Sequence, residues 1–495
     1  MKLWTKSRIA PCILCTFTLV TAAACTPINA NNNSVQNTSQ TDVHTTPESE
    51  PFSEMEEPEM VEKNRKAYEK SMEELRKQYE QNPNDKTIAL DYAEILFQLG
   101  NFPQSQEILK PLLADEKTFP GAIHLSAQIE YVNGNYSEAE RLYEILANQF
   151  PEFKEKAEYG LEYVYYQTNQ YFKVQNLSIA SDCTSGIGAM MRAFGHKKPY
   201  QIDWFESETA IIPFLKTDPL PLIQAEIEGQ MHNFIVDTGA GETYLDDKLA
   251  TSLGIETIAE DKGVYAGGVS AITDYGILES ITLNGVKISS VPVNLMSMDS
   301  FSSVYDNEFK ISGIIGIGIF KQLLATMDYP EGQLILSPRD GQSGNSPNNR
   351  EAQNKNAIEL PFILASTHLM ISKSEINGKE VNVFLDSGLA ADEAILLPKD
   401  TMHYTNIPIP ATENVTSVGG GGVGEIPTGH FNVDSFRLGA GTEAKNISGL
   451  YGVFPESYYF DENIGFFIDA LVSHNFLKDY QWTIDFDSMM MTFKQ

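Results

Sequence analysis

Two stretches of this chain set a carboxylate, a small hydroxyl and a glycine in a row at the end of an apolar run. Phe234-Ile235-Val236 leads into Asp237-Thr238-Gly239-Ala240, and Phe384-Leu385 leads into Asp386-Ser387-Gly388-Leu389, 149 residues later. Two carboxylates brought face to face cannot both ionise easily, so they titrate as a unit with two separated apparent pKa values. With a water between them, the ionised member takes its proton as the water attacks a carbonyl carbon. The protonated member donates to the developing oxyanion. The Thr238 and Ser387 hydroxyls are small enough to hydrogen-bond backbone across the seam, and Gly239 and Gly388 let the chain turn sharply beneath the carboxylates.

The elements that must position this pair recur with it. Gly229 and Gly378 each lie eight residues before the Asp, in Glu226-Ile227-Glu228-Gly229 and Glu375-Ile376-Asn377-Gly378, and each predicts a hairpin with a tight Gly turn. The glycine-rich run Val264 to Val269 answers Val418 to Val423, and Gly285 answers Gly439 at an offset of 154. Ile311 to Phe320 answers Ile468 to Leu477, and Asp328 answers Asp485, both at an offset of 157. Landmarks recurring in order with small insertions describe an internal duplication of about 140 residues. Short apolar runs punctuated by Gly, Pro, Asn and Asp predict two β lobes closed like barrels, with a cleft between them. Asp-Ser/Thr-Gly is also ordinary turn chemistry; the matched frames of the two copies, more than either triplet, carry the functional reading.

From about Pro213 to Phe493 these residues resemble the retropepsin-like aspartic proteases, in a single-chain, two-lobed bacterial form. The resemblance implies an all-β acid protease domain acting on a peptide or protein substrate, with no cofactor and no metal. It implies Asp237 and Asp386 as the catalytic pair, with Thr238, Gly239, Ser387 and Gly388 supporting the catalytic loops. Flap and substrate-binding residues would be Tyr265, Gly267, Gly268, Gly420 and Gly421, and Ile314-Ile315-Gly316 would pack beneath the first loop. The second lobe departs from the pattern. Ala470 and Ser473 stand where the first has Gly313 and Gly316, and Leu389 replaces Ala240. The added atoms are expected to crowd the loop under Asp386. A catalytically weak or inactive peptide-binding or assembly scaffold, using the repeats and the protease fold, is the competing reading.

The chain before these lobes is of another kind. Lys2, Lys6 and Arg8 precede an apolar run, Ile9 to Ala24, which suits a signal segment and is short for a membrane span. Ala22-Ala23-Ala24-Cys25 resembles a bacterial lipobox, which implies lipidation at Cys25 and a membrane contact through that anchor only. The expected location is the cell envelope facing the periplasm, with Thr26 weakly favouring the outer membrane. Beyond the signal segment and Cys25, Cys183 is the remaining cysteine, so no intramolecular disulfide is expected in a mature chain. Residues 25–60 read as a disordered tether rich in Asn, Ser, Thr, Pro and Glu.

Residues 61–180 turn helical, and Leu99-Gly100-Asn101-Phe102 recurs as Asn133-Gly134-Asn135-Tyr136 and Thr168-Asn169-Gln170-Tyr171, 34 and 35 residues apart. This period resembles tetratricopeptide repeats, which offer a concave surface to a protein partner or brace what they adjoin. The expected order is therefore an all-α repeat domain, a connector (181–212), lobe 1 (213–336), a polar linker (337–357) and lobe 2 (358–495). A net charge of −32 argues against nucleic acid as a partner. The sequence holds no Gly-x-x-x-x-Gly-Lys-Ser/Thr loop, no His-Glu-x-x-His pair and no Gly-x-Ser-x-Gly elbow. His232 and His474, near the Asp landmarks, read as ordinary hydrogen-bonding residues.

Overall fold

The turns at the 34-residue spacing join helices in pairs. The helices are α1 (Arg65–Gln81), α2 (Lys86–Gln98), α3 (Phe102–Leu109), α4 (Pro120–Val132), α5 (Tyr136–Gln149) and α6 (Lys154–Gln167). Asp85 caps α2 by accepting from the Thr87 and Ile88 amides. Pro103 and Pro120 occupy first turns, where a missing amide hydrogen costs nothing. Gly100 and Gly134 (both φ 78°) and Asn169 (φ 56°) take the left-handed conformation that ends each first helix. The third pair is incomplete: a 3-10 turn, Tyr171–Asn176, stands in for its second helix. A further helix, α7 (Gly186–Phe194), leads to the strands. The computed structural model describes residues 13–15, 65–115, 119–180, 186–205, 207–264, 270–339, 357–419, 422–441, 443–452 and 465–495. The expectations for Cys25, Tyr265, Gly267, Gly268, Gly420 and Gly421, and for the tether and most of the signal segment and linker, lie outside these residues.

Among the described residues the strands form two sheets, one of eight strands and one of fourteen, the latter including Ile13–Cys15. Lobe 1 holds the first, whose strands lie within 201–296 and 311–315. The second runs through lobe 2 and ends in six strands shared by the lobes, in the order Ile358–Ala365, Met490–Lys494, Gln481–Asp485, Leu324–Asp328, Gln333–Ser337 and Ala210–Pro213. Three strands come from each lobe, and the two central ones pair antiparallel with Thr326 opposite Thr483. Their hydroxyls meet at 2.7 Å. Those threonines are 157 residues apart, the offset seen in the sequence, so the pseudo-two-fold axis of the duplication passes between them. Trp482 and Phe493, both fully buried and stacked at 5.6 Å, fill the core beneath. The stretch read as a connector is not outside the β body: Gln201–Trp204 pairs with Val286–Ser289 of lobe 1, and Ala210 to Pro213 forms the edge of the shared sheet.

The expected hairpins form. Both residues of each turn, Glu228-Gly229 and Asn377-Gly378, have positive φ, the geometry that matches the twist of a two-residue hairpin. The longer flap-like hairpins pair Ala259–Val264 with Ser270–Tyr275, and Glu413–Gly419 with Gly422–Thr428. Ile13–Cys15, inside the run read as a signal segment, lies parallel to Ser417–Gly419 at the edge of the second hairpin.

The repeats are docked on the lobes by the edge that carries their turns. Gly100 faces the Asn382 side chain, Gly134 faces Met489, and Asn169 donates to Gln322 at 2.8 Å. Phe466 of lobe 2 is fully buried against the edges of Phe97 and Phe102, at 5.7 and 5.0 Å; burying such a ring contributes about 1.5–3 kcal/mol. Arg65 closes this interface, its Nη1 donating to both Asp469 oxygens at 2.7 Å.

One consequence is a loss of stability in acid. His368, in the lobe 2 hairpin turn beneath the repeats, is buried, and burial lowers its pKa from 6.5 to about 3. Between those values the unfolded chain binds a proton that the folded chain does not. Stability is therefore full above about pH 6.5 and declines as the pH falls toward about 3. His368 alone should remove about 3 kcal/mol between pH 7 and pH 4.5. Urea unfolding of His368→Gln should show a correspondingly smaller loss over that interval; an unchanged slope would mean that the imidazole is not buried neutral.

Candidate active site

Each Asp ends a strand that lies beside a second, parallel one. Gln230–Val236 runs beside Ile311–Ile315, and Lys379–Leu385 beside Ala470–Val472. The Asp237 amide donates to Ile315 O and the Asp386 amide to Val472 O, both at 3.0 Å. Val236 and Leu385 are fully buried, which leaves the following residues to turn at the seam between lobes.

There the two loops hold each other. The Thr238 amide donates to Ser387 Oγ and the Ser387 amide to Thr238 Oγ1, both at 3.0 Å. Thr238 Oγ1 in turn donates to Leu385 O at 3.2 Å, and Ser387 Oγ to Val236 O at 3.3 Å. Each hydroxyl accepts once and donates once, so four hydrogen bonds cross the seam with two-fold symmetry. Both carboxylates are fully buried; Oδ1 of each accepts from the amide two residues on, Gly239 at 2.7 Å and Gly388 at 2.8 Å. Each also lies over the other loop. A Cβ on Gly239 would stand 2.6 Å from the Asp386 carboxyl group, and one on Gly388 would stand 2.0 Å from the Asp237 carboxyl carbon. Glycine is required at both places because the opposite carboxylate fills the space. Tyr329 packs nearby; burial, then the charge of Asp237, pushes its phenol up and keeps it protonated.

Beneath the first loop, Gly313 and Gly316 admit no side chain. A Cβ would meet Tyr244 O at 2.2 Å and Glu242 O at 2.0 Å. The crowding expected in lobe 2 from Ala470 and Ser473 does not arise, because the chain there takes a longer path. Tyr244 and Leu396 hold the same place, paired with Ile314 and Leu471, yet Tyr244 follows Asp237 by seven residues and Leu396 follows Asp386 by ten. The three extra residues move the backbone away, and the Ser473 hydroxyl donates to Glu393 O. Leu389 is fully buried, and its carbonyl accepts from the His474 amide at 3.2 Å, as Ala240 O accepts from Ile317 at 2.8 Å. The sequence feature that favoured an inactive scaffold thus has a structural accommodation.

The flap-like hairpins are both braced. Val418 is buried in an apolar cluster with Ala240, Met298 and Phe301 of lobe 1, so the second hairpin reaches across the seam. In the first, Asp261 accepts from the Gly186 amide of α7 at 2.9 Å and from Tyr275 Oη at 3.2 Å. His474 is buried, 3.7 Å from Asp218 and edge-on to Tyr329; His232 lies on the Gln230–Val236 strand.

Sequence reasoning missed Glu242, five residues beyond Asp237. Its buried carboxylate accepts from Tyr200 Oη at 2.7 Å and from Tyr166 Oη of α6. Burial raises its pKa, against the pull of Lys321 and the two phenols. Lys321 is buried too, and desolvation lowers it to about 7. The available signal was asymmetry: five residues beyond Asp386 stands Ala391, and two before Leu396 stands Ala394.

Among the described residues no group of three His, Cys, Asp or Glu could hold a metal ion, and no helix is long and apolar enough to cross a membrane. Residues 223–318 match the family model of an aspartyl protease, and residues 65–129 that of a tetratricopeptide repeat. No curated protein matches the chain. The first match takes in the Asp237 loop, the first flap-like hairpin and the Ile314-Ile315-Gly316 segment.

Proposed function

We propose that this chain, which carries an aspartyl protease domain behind tetratricopeptide repeats, is an endopeptidase that hydrolyses peptide bonds through a water activated by Asp237 and Asp386. The observation that carries the reading is the cross-bonded pair of loops, with each buried carboxylate seated over the other loop's glycine. Two carboxylates so confined share one proton. The ionised one takes a proton from water as oxygen attacks the scissile carbonyl. The protonated one donates to the carbonyl oxygen, giving a neutral tetrahedral diol, and collapse delivers a proton to the leaving amine. The step asks for no metal ion and no acyl-enzyme.

The substrate lies extended, adding a strand to the flaps. The parallel pairing of Ile13–Cys15 with Ser417–Gly419 supports this seat, since that edge accepts a strand. The protein is held in the cell envelope, facing the periplasm, by a lipid on Cys25. This last part rests on the Ala22-Ala23-Ala24-Cys25 sequence alone. Cleavage of peptides should survive EDTA and serine-directed acylating inhibitors, and should be blocked by a peptide whose scissile bond is replaced by a hydroxyethylene group. Inhibition by EDTA, or indifference to the isostere, would remove the reading.

A further inference from the structure

The arm of chain that leaves the Asp237 loop is gripped from three sides. From lobe 1, the Ile317 amide donates to Ala240 O at 2.8 Å and the Gly318 amide to Gly241 O at 3.0 Å. From lobe 2, the Thr367-His368 turn closes on Gly241, where a Cβ would stand 3.0 Å from His368 Nδ1. From the repeats, Tyr166 of α6 reaches the Glu242 carboxylate, beside Tyr200. Gly318 has no room for a side chain because the Tyr200 hydroxyl and the Glu242 carboxylate fill that space.

The repeat helices hold this point from several directions. The Tyr166 ring stacks on Tyr171 with an interplanar angle of 13°, and the Lys321 ammonium lies 4.3 Å above its centroid. Lys321 donates to Gln167 Oε1 at 2.7 Å, and Gln167 Nε2 reaches Thr367 O at 3.1 Å. Tyr131 of α4 donates to Ser366 O. Adjacent residues of α6 thus meet the arm below Asp237 and the lobe 2 turn that closes on it. Among the described residues the lobe 2 arm is held otherwise: Ala391 stands five residues beyond Asp386, the Glu393 carboxylate meets His430 of the same lobe at 2.7 Å, and Glu393 O and Ala394 O accept from Ser473.

We propose that the helical repeats complete the active site, with Tyr166 and Tyr200 as positioning residues that fix Glu242 and so hold the outgoing arm of the Asp237 loop. This rests on the reading of Asp237 and Asp386 as the reacting pair. A buried carboxylate takes whatever position its donors define, because leaving it unbonded is costly. Here one donor belongs to a different domain from the loop it holds. The repeats are accordingly not only a spacer: the alignment of lobe 1 with lobe 2 depends on how α6 sits.

The test uses the full chain, with Tyr166→Phe beside wild type, Asp237→Asn and a control, Tyr143→Phe. Tyr143 is a buried tyrosine that packs on Gly160 and His124 within the repeats. Tyr166→Phe keeps the ring and its stacking and removes only the donor. It should lower kcat about tenfold with KM within about twofold of wild type, the signature of a displaced reacting group. Amide hydrogen exchange over residues 240–243 should quicken by a similar factor, while Tyr143→Phe should move neither quantity. Wild-type kcat and exchange in Tyr166→Phe, or equal losses in Tyr143→Phe, would overturn the inference. Should Asp237→Asn cut as well as wild type, the catalytic reading falls, and the exchange rates alone still decide whether Tyr166 holds the arm.

Discussion

Asp237→Asn is expected to lower peptide turnover about 10²–10⁴-fold, and Asp386→Asn by a similar factor, the usual contribution of a positioned acid or base. The change is nearly isosteric. Asparagine Oδ1 can still accept the Gly239 or Gly388 amide, the bond each aspartate makes now. The seam bonds of Thr238 and Ser387 run through their own hydroxyls and backbone, so the loops keep their hold. In the proposed mechanism, what disappears is the site that takes the water's proton or donates to the oxyanion. The losses should be of comparable size because the two carboxylates occupy matched positions and, in the proposed mechanism, share one proton. They should fall on kcat rather than KM, since no strand pairing with the substrate is removed. Urea midpoints near wild type would show that the variants are folded. A variant of either residue retaining more than about a tenth of wild-type turnover would take that carboxylate out of the mechanism.

Arg65→Ala is expected to cost about 3–5 kcal/mol of stability at pH 7, the usual result of stripping one partner from a buried ion pair. Arg65 and Asp469 are 4% and 2% exposed, which removes solvent as a substitute partner. Asp469 would keep the Asn382 amide at 2.6 Å and lose both guanidinium bonds. Burial already raises the Asp469 pKa against the opposing charge of Arg65, and without that charge it rises further. A folded pKa above the unfolded one gives stability that is full at low pH and lost as the pH rises through the folded value. The deficit of Arg65→Ala should therefore shrink toward pH 4, and adding Asp469→Asn should restore much of it at pH 7. Urea unfolding at the two pH values measures both effects. A deficit below about 1 kcal/mol at pH 7 would mean that the pair is wet.

The parts of this molecule that were legible in its sequence are those whose cause is local. Glu228-Gly229 and Asn377-Gly378 predict hairpins because a tight turn needs positive φ, which Gly229, Gly378 and Asn377 adopt readily. Gly100, Gly134 and Asn169 mark the repeat turns for the same reason. The offset of 157 residues foreshadows the Thr326–Thr483 contact, because a duplicated strand pairs with its own copy across a two-fold axis. Other features depend on contacts that no short window contains. Arg65 meets Asp469 across 404 residues, and Tyr166 meets Glu242 across 76. Gln201–Trp204 is too short to declare itself a strand, and becomes one only beside Val286–Ser289. Ala470 and Ser473 suggested crowding because substitutions can be read directly, whereas the three added residues that relieve it become visible only once Tyr244 and Leu396 are seen to coincide.

The most direct test of the central claim is hydrolysis of a mixed peptide library by the wild-type chain between about pH 3 and pH 8. The double variant Asp237→Asn/Asp386→Asn would be run beside it, with products identified by mass. Two carboxylates sharing a proton predict wild-type cleavage with a bell-shaped dependence on pH, its limbs belonging to the pair, and no cleavage by the double variant at any pH. Cleavage by the double variant, or a folded wild-type chain that cuts no peptide across the range, would contradict the account.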